Sequence, residues 1–179
     1  MDVVHEAGDW GPLAPVEADV AAAASAVAAA LDLPDSEACL ALSSDENVAR
    51  LNATYRGKPK PTNVLSFPAN RDMGNVGGGN VGGANMSEPD ADTGARFLGD
   101  LILARETVVR EAEEQGTSLQ HHLQHLVVHG LLHLLDYDHE TDADADAMET
   151  LEVSILASLG IANPYLAAEE PHQTDFAKS

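Results

Sequence analysis

The amino-acid sequence predicts an α+β fold in which about four short strands pack with about five helices around one central, histidine-bearing helix. Three observations lead there. Apolar residues recur at helical spacing in some stretches and alternate or cluster over short runs in others, so both kinds of element are present. Residues 119 to 135 are apolar almost throughout apart from histidines and glutamines, the mark of a helix enclosed by protein rather than lying on its surface. The chain has 179 residues, enough to bury a core in one domain, and its single cysteine, Cys39, rules out an intrachain disulfide framework.

Taken in order, residues 2 to 7 alternate weakly, as an edge strand does, and Pro12 and Pro15 then break the chain. Val16, Val20, Val27 and Leu31 follow at helical spacing and predict a first helix over about 15 to 31. In residues 37 to 43, Ala38, Leu40 and Leu42 share one face of a strand. Ser43 or Ser44 caps the second helix, where Asp45 and Glu46 suit the positive end, and that helix delivers Arg56 at its C-terminus. Residues 63 to 67 and 98 to 104 are strands, and the Gly, Asn and Asp-rich segment 69 to 96 between them is expected to be a flexible loop. It contains no GxGxxG or GxxxxGK[ST] phosphate cradle.

A polar helix over about 106 to 114 ends near Gly116, and the central helix begins after Thr117 and Ser118. Beyond the loop at 136 to 140, Thr141 and Asp144 form a capping box, and Met148, Leu151, Ile155 and Leu159 line a last helix that stops at Gly160. The acids at 142, 144 and 146 favour the start of that helix and otherwise face water. One domain over residues 1 to 168 and a disordered tail over 169 to 179 are expected.

Composition narrows the setting. The first ten residues carry acids where a secretory signal carries bases, and the alanine run from Ala21 to Ala30 is shorter than the roughly 20 apolar residues that span a bilayer. A cytoplasmic protein with no membrane partner is therefore expected, with Cys39 as a small buried apolar residue. Thirty acids against nine bases give a formal charge of -21, which opposes nonspecific binding of nucleic acid at long range. The bases Arg56, Lys58 and Lys60 are nevertheless close together and suited to docking a phosphate backbone.

The chemistry gathers near the end of the central helix. His129 and His133 stand one turn apart on one face, and His139 follows six residues later. Three neutral imidazoles hold zinc at about 2.0 to 2.1 Å and leave a fourth position open for water, a zincin-like metal site of the catalytic kind. To bring His139 back, the chain must reverse near Asp136 through a left-handed conformation, with a strain of about 1 kcal/mol at a non-glycine residue. His121 and His125 continue the stripe and are expected to form a solvated or outer extension of the site. Asp136 and Asp138 are candidates for orienting a ligand imidazole. Zinc peptidases share the spacing but carry a glutamate general base directly after the first histidine; here that position is Gly130, which argues against proteolysis.

The stretch HGLLHLLDYDH from His129 to His139 resembles the HGxLHLxGYDH motif of the YbeY family of single-strand-specific endoribonucleases, with Asp136 in place of the family's glycine. Two further stretches match: NATYRGKPKPTNVLSFP from Asn52 to Pro68 looks like the family's arginine-bearing segment, and LGDLIL from Leu98 to Leu103 like its following strand. The resemblance implies a mixed sheet packed with helices around the histidine helix. It implies one zinc ion per chain on His129, His133 and His139, and catalytic roles for these residues and Arg56, whose planar guanidinium matches phosphate oxygens. The partners implied are single-stranded RNA, ribosomal RNA and the small ribosomal subunit, in 16S rRNA 3′-end maturation and ribosome quality control; DNA is not expected. Two other readings stay open on the residues alone: another zinc hydrolase acting on peptides or esters, and a non-catalytic assembly factor that uses zinc to fix its fold.

Overall fold

The computed structural model describes residues 1 to 69 and 94 to 166. It contains strands β1 (Asp2–His5), β2 (Ser36–Ser43), β3 (Val64–Pro68) and β4 (Arg96–Ala104), and helices α1 (Leu13–Ala30), α2 (Asp45–Arg56), α3 (Arg105–Glu114), α4 (Leu119–Leu134) and α5 (Asp142–Ser158). The α+β architecture, four strands and five helices, agrees with the sequence expectation. Most of the expected flexible loop and all of the expected tail fall outside the described residues. β4 begins at Arg96, two residues earlier than its apolar run suggests.

The sheet is mixed, in the order β1-β2-β4-β3, with β1, β2 and β4 parallel and β3 antiparallel along the far edge. Leu40 pairs with Leu101 and Leu42 with Leu103 at its centre, and all four are fully buried. Successive residues of β4 face opposite ways, as the strand period requires. Leu101 and Leu103 join the main core with α1, α4 and α5, whereas Ile102 and Ala104 join a smaller core with Val48 and Leu51 of α2. The sheet therefore separates α2 from α4.

α4 occupies the centre, packed on α1, α3, α5 and the sheet. Its buried residues include Leu123, Leu126, Val127, Val128, Leu131, Leu132 and Leu134. Gly130 allows the helix its close approach to the sheet, since a Cβ there would lie 2.8 Å from Leu101 Cδ2. Gly99 does the same between strands: the pairing of β2 with β4 shifts at Glu37 and Ala38, and a Cβ on Gly99 would lie 2.2 Å from the Phe67 carbonyl oxygen.

α1 is long and apolar enough to cross a membrane by length and composition, but Val20, Ala23 and Val27 are buried in the main core. Ser44 caps α2 as expected. Thr141 caps α5, but Asp144 returns its carboxylate to the Thr141 hydroxyl rather than to the backbone N–H of a capping box. Cys39 is half-buried in β2, a correction to the buried residue expected.

Candidate metal centre

His129 and His133 project from the last two turns of α4, and the helix ends in a way that returns His139 to them. The N–H of Tyr137 donates to the Leu132 carbonyl at 3.0 Å and that of Asp136 to the His133 carbonyl at 3.2 Å, the paired bonds of a Schellman turn. Its left-handed residue is Asp136, with φ 65°, as the sequence requires. Tyr137 then packs on the core, anchoring the turn. The ring of His139 stacks on that of His129 with centroids 5.4 Å apart and lies edge-on to that of His133 at 5.0 Å. One ligand atom from each of the three histidines lies within 4.8 Å of the others.

Hydrogen bonding decides which nitrogens are available. His133 Nδ1 lies 2.9 Å from the Tyr137 carbonyl oxygen, which only accepts, so Nδ1 carries the proton of the neutral ring and Nε2 carries a lone pair. His129 Nδ1 faces the Glu152 carboxylate at 3.4 Å, and the same reasoning leaves its Nε2 a lone pair. These two Nε2 atoms are 3.0 Å apart. Two imidazole nitrogens this close can serve one cation as neighbouring donors. The residues therefore fit a metal ion, with His139 exposed at the solvent side as the third donor.

The groups facing the imidazoles are the Tyr137 carbonyl and the Glu152 carboxylate, not the Asp136 and Asp138 considered from sequence. Asp138 instead accepts from the backbone N–H of His139 at 2.7 Å. Glu152 lies on α5 and is fully buried. Its Oε1 is 2.8 Å from His125 Nε2, and its Oε2 accepts from the Tyr165 hydroxyl at 2.5 Å. Burial alone would raise its pKa, yet the hydrogen bonds and charge of His125 and His129 outweigh burial and hold it at about 2. Burial and the neighbouring Glu152 push the Tyr165 phenol up, so it stays protonated as a donor.

The sequence contained one sign of Glu152. Met148, Glu152, Ile155 and Leu159 recur at three- and four-residue intervals, which places an acid on the buried stripe of α5. His125 belongs to the outer extension, as expected, and reaches the site through this carboxylate. Buried His122 differs: its Nε2 lies 3.0 Å from Glu111 on α3.

Arg56 ends α2, across the sheet from α4, and is exposed with Lys58 and Lys60. Gly57 terminates the helix in a left-handed conformation with φ 67°. The buried Asn52 side chain donates to the Lys60 carbonyl at 2.8 Å, clipping this basic loop to α2. Tyr55 meets Phe67 edge-on at 5.4 Å, so the Arg56 end of the helix is fixed to edge strand β3, whose other side packs on α4.

Burial, followed by the neighbouring His129 and His139, keeps the pKa of His133 below its ordinary 6.5, and burial does the same for His122 against the pull of Glu111. Both are neutral at pH 7, as metal ligation requires of His133. In the metal-free protein the sign follows: below pH 6.5 the unfolded chain takes up protons that these folded-state rings refuse, so stability falls as pH drops. Glu152 titrates lower, its contribution being lost only as pH falls from 4.5 towards 2. Urea midpoints of the metal-free protein should therefore decrease between pH 7.5 and pH 5.5; a flat or rising midpoint would contradict the assignment.

Comparison with known proteins identifies the family. A family model described as Endoribonuclease YbeY matches residues 14–160. A relative named endoribonuclease YbeY from Rhodopseudomonas palustris strain HaA2 is 47% identical over 168 residues, covering 92% of this chain and 80% of its own. Another of that name from Parvibaculum lavamentivorans is 47% identical over 175 residues, covering 97% of this chain and 88% of its own. The solution structure of TM1509 from Thermotoga maritima shares the fold at a TM-score of 0.52 and 19% identity, covering 96% of this chain and 97% of that one. The matched span holds the whole histidine triad, Glu152 and Arg56, and the chain belongs to the endoribonuclease YbeY family.

Proposed function

We propose that this protein is a zinc-dependent endoribonuclease of the cytoplasm that cuts single-stranded RNA, acting on the ribosomal RNA of the small subunit in 16S 3′-end maturation and ribosome quality control. The observation that carries the chemistry is the convergence of three imidazoles, two of them with Nε2 atoms 3.0 Å apart. Relatives named as endoribonucleases support RNA as the substrate, and the ribosomal setting rests on the family resemblance.

His129, His133 and His139 would hold the ion. Zinc in such a site supplies Lewis acidity, polarising a phosphoryl oxygen and lowering the pKa of water towards about 7. The Tyr137 carbonyl holds His133 in the tautomer that presents Nε2 to the ion. Arg56, with Lys58 and Lys60 beside it, holds the phosphate backbone and offsets negative charge as the phosphodiester is attacked. A peptidase mechanism is disfavoured on geometry as well as sequence, because Leu101 fills the space a glutamate at position 130 would need.

The test is to give the zinc-loaded protein single-stranded RNA, duplex RNA and a casein-like peptide in parallel. Cleavage of the single strand alone is expected. Cleavage of the peptide alone would favour another hydrolase, and ribosome association without turnover would favour an assembly factor stabilised by zinc.

A further inference from the structure

Resting on the metal-centre reading above, we infer that Glu152 is a positioning residue for the metal: it accepts a hydrogen bond from the Nδ1–H of His129, aims Nε2 at the ion, and is itself held by His125 and Tyr165. No step of the proposed reaction needs Glu152, yet its side chain is completely buried. Burying a carboxylate costs several kcal/mol unless its charge is offset. Among the described residues no lysine or arginine pairs with it; its neighbours are His125 at 2.8 Å, His129 at 3.4 Å and the Tyr165 hydroxyl at 2.5 Å.

Such surroundings suit an anion whose counter-charge lies one ring away. His129 is the only one of these three that also faces the candidate ion, with Nδ1 towards Glu152 and Nε2 towards His133. A carboxylate on Nδ1 fixes the tautomer and makes Nε2 a stronger donor. His125 and Tyr165 approach from α4 and from the segment after α5, so the carboxylate is held from two directions and α5 is tied to the metal-bearing helix.

The experiment compares the full chain with Glu152→Gln, Tyr165→Phe and, as the metal-site control, His133→Ala. Zinc affinity is measured by competition with a chromophoric chelator, and thermal midpoints are taken without metal. Glu152→Gln should weaken zinc binding about 10- to 100-fold, and Tyr165→Phe should weaken it less. Nitrogen-15 histidine spectra of the metal-free wild type should show the proton of His129 on Nδ1. Unchanged affinity in a folded Glu152→Gln protein would overturn the inference, even if its thermal midpoint fell. So would a His129 proton on Nε2 in the wild type, a result that needs no variant to fold. Equal zinc affinity in wild type and His133→Ala would instead overturn the metal-centre reading itself.

Discussion

His133→Ala is expected to abolish RNA cleavage and to weaken zinc binding by more than the about 100-fold that loss of an outer partner costs. The substitution removes one of the two Nε2 donors that face each other at 3.0 Å and leaves the Tyr137 carbonyl without its imidazole partner. Two histidines cannot close the site, since His139 reaches it from an exposed loop and His129 alone would share the ion with it. The thermal signature is distinctive. Zinc at about 1,000 times its Kd should stabilise the wild type by about 4 kcal/mol, or about 8 to 16 °C for a chain of this size. The variant should gain almost nothing. Without metal the variant should melt somewhat below the wild type, because His133→Ala also removes the bonds to the Tyr137 carbonyl and to His129. Differential scanning calorimetry with and without zinc checks both statements.

Arg56→Ala carries the second large effect. Cleavage of single-stranded RNA should fall by about 10²-fold, the scale set by losing one donor to developing transition-state charge, while zinc affinity and thermal midpoint stay unchanged. The two effects separate because Arg56 is exposed at the end of α2 and is not one of the converging donors. Arg56→Lys should restore only part of the activity, since an ammonium lacks the planar fork that matches phosphate oxygens. Single-turnover assays against one labelled oligonucleotide, together with chelator competition, measure the two effects independently. A variant that lost zinc along with activity would place Arg56 in the support of the metal site instead.

These two residues show what was legible in the chain. The triad could be read because two of its members are one helical turn apart and the third follows a turn whose left-handed residue, Asp136, is sequence-local; His129 and His139 are only ten positions apart. The four strands and five helices were legible for the same reason, as periodicity is local. Orientation of the ligands was not. Glu152 reaches His129 from another helix, and nothing but its place on the apolar stripe of α5 announced it. Asp136 and Asp138 looked better because they were near in sequence, yet a backbone carbonyl, which every residue carries, does the work for His133. The strand β4 began early for a related reason: Arg96 and Phe97 pair with Ser36 and Glu37 on β2, although neither extends an obvious apolar run.

X-ray absorption on the protein loaded with one equivalent of zinc tests the central claim most directly. The expected result is three imidazole nitrogens at about 2.0 to 2.1 Å, falling to fewer in His133→Ala. A zinc shell dominated by carboxylate oxygens, with the same spectrum in the variant, would place the ion elsewhere on this acidic surface and contradict it.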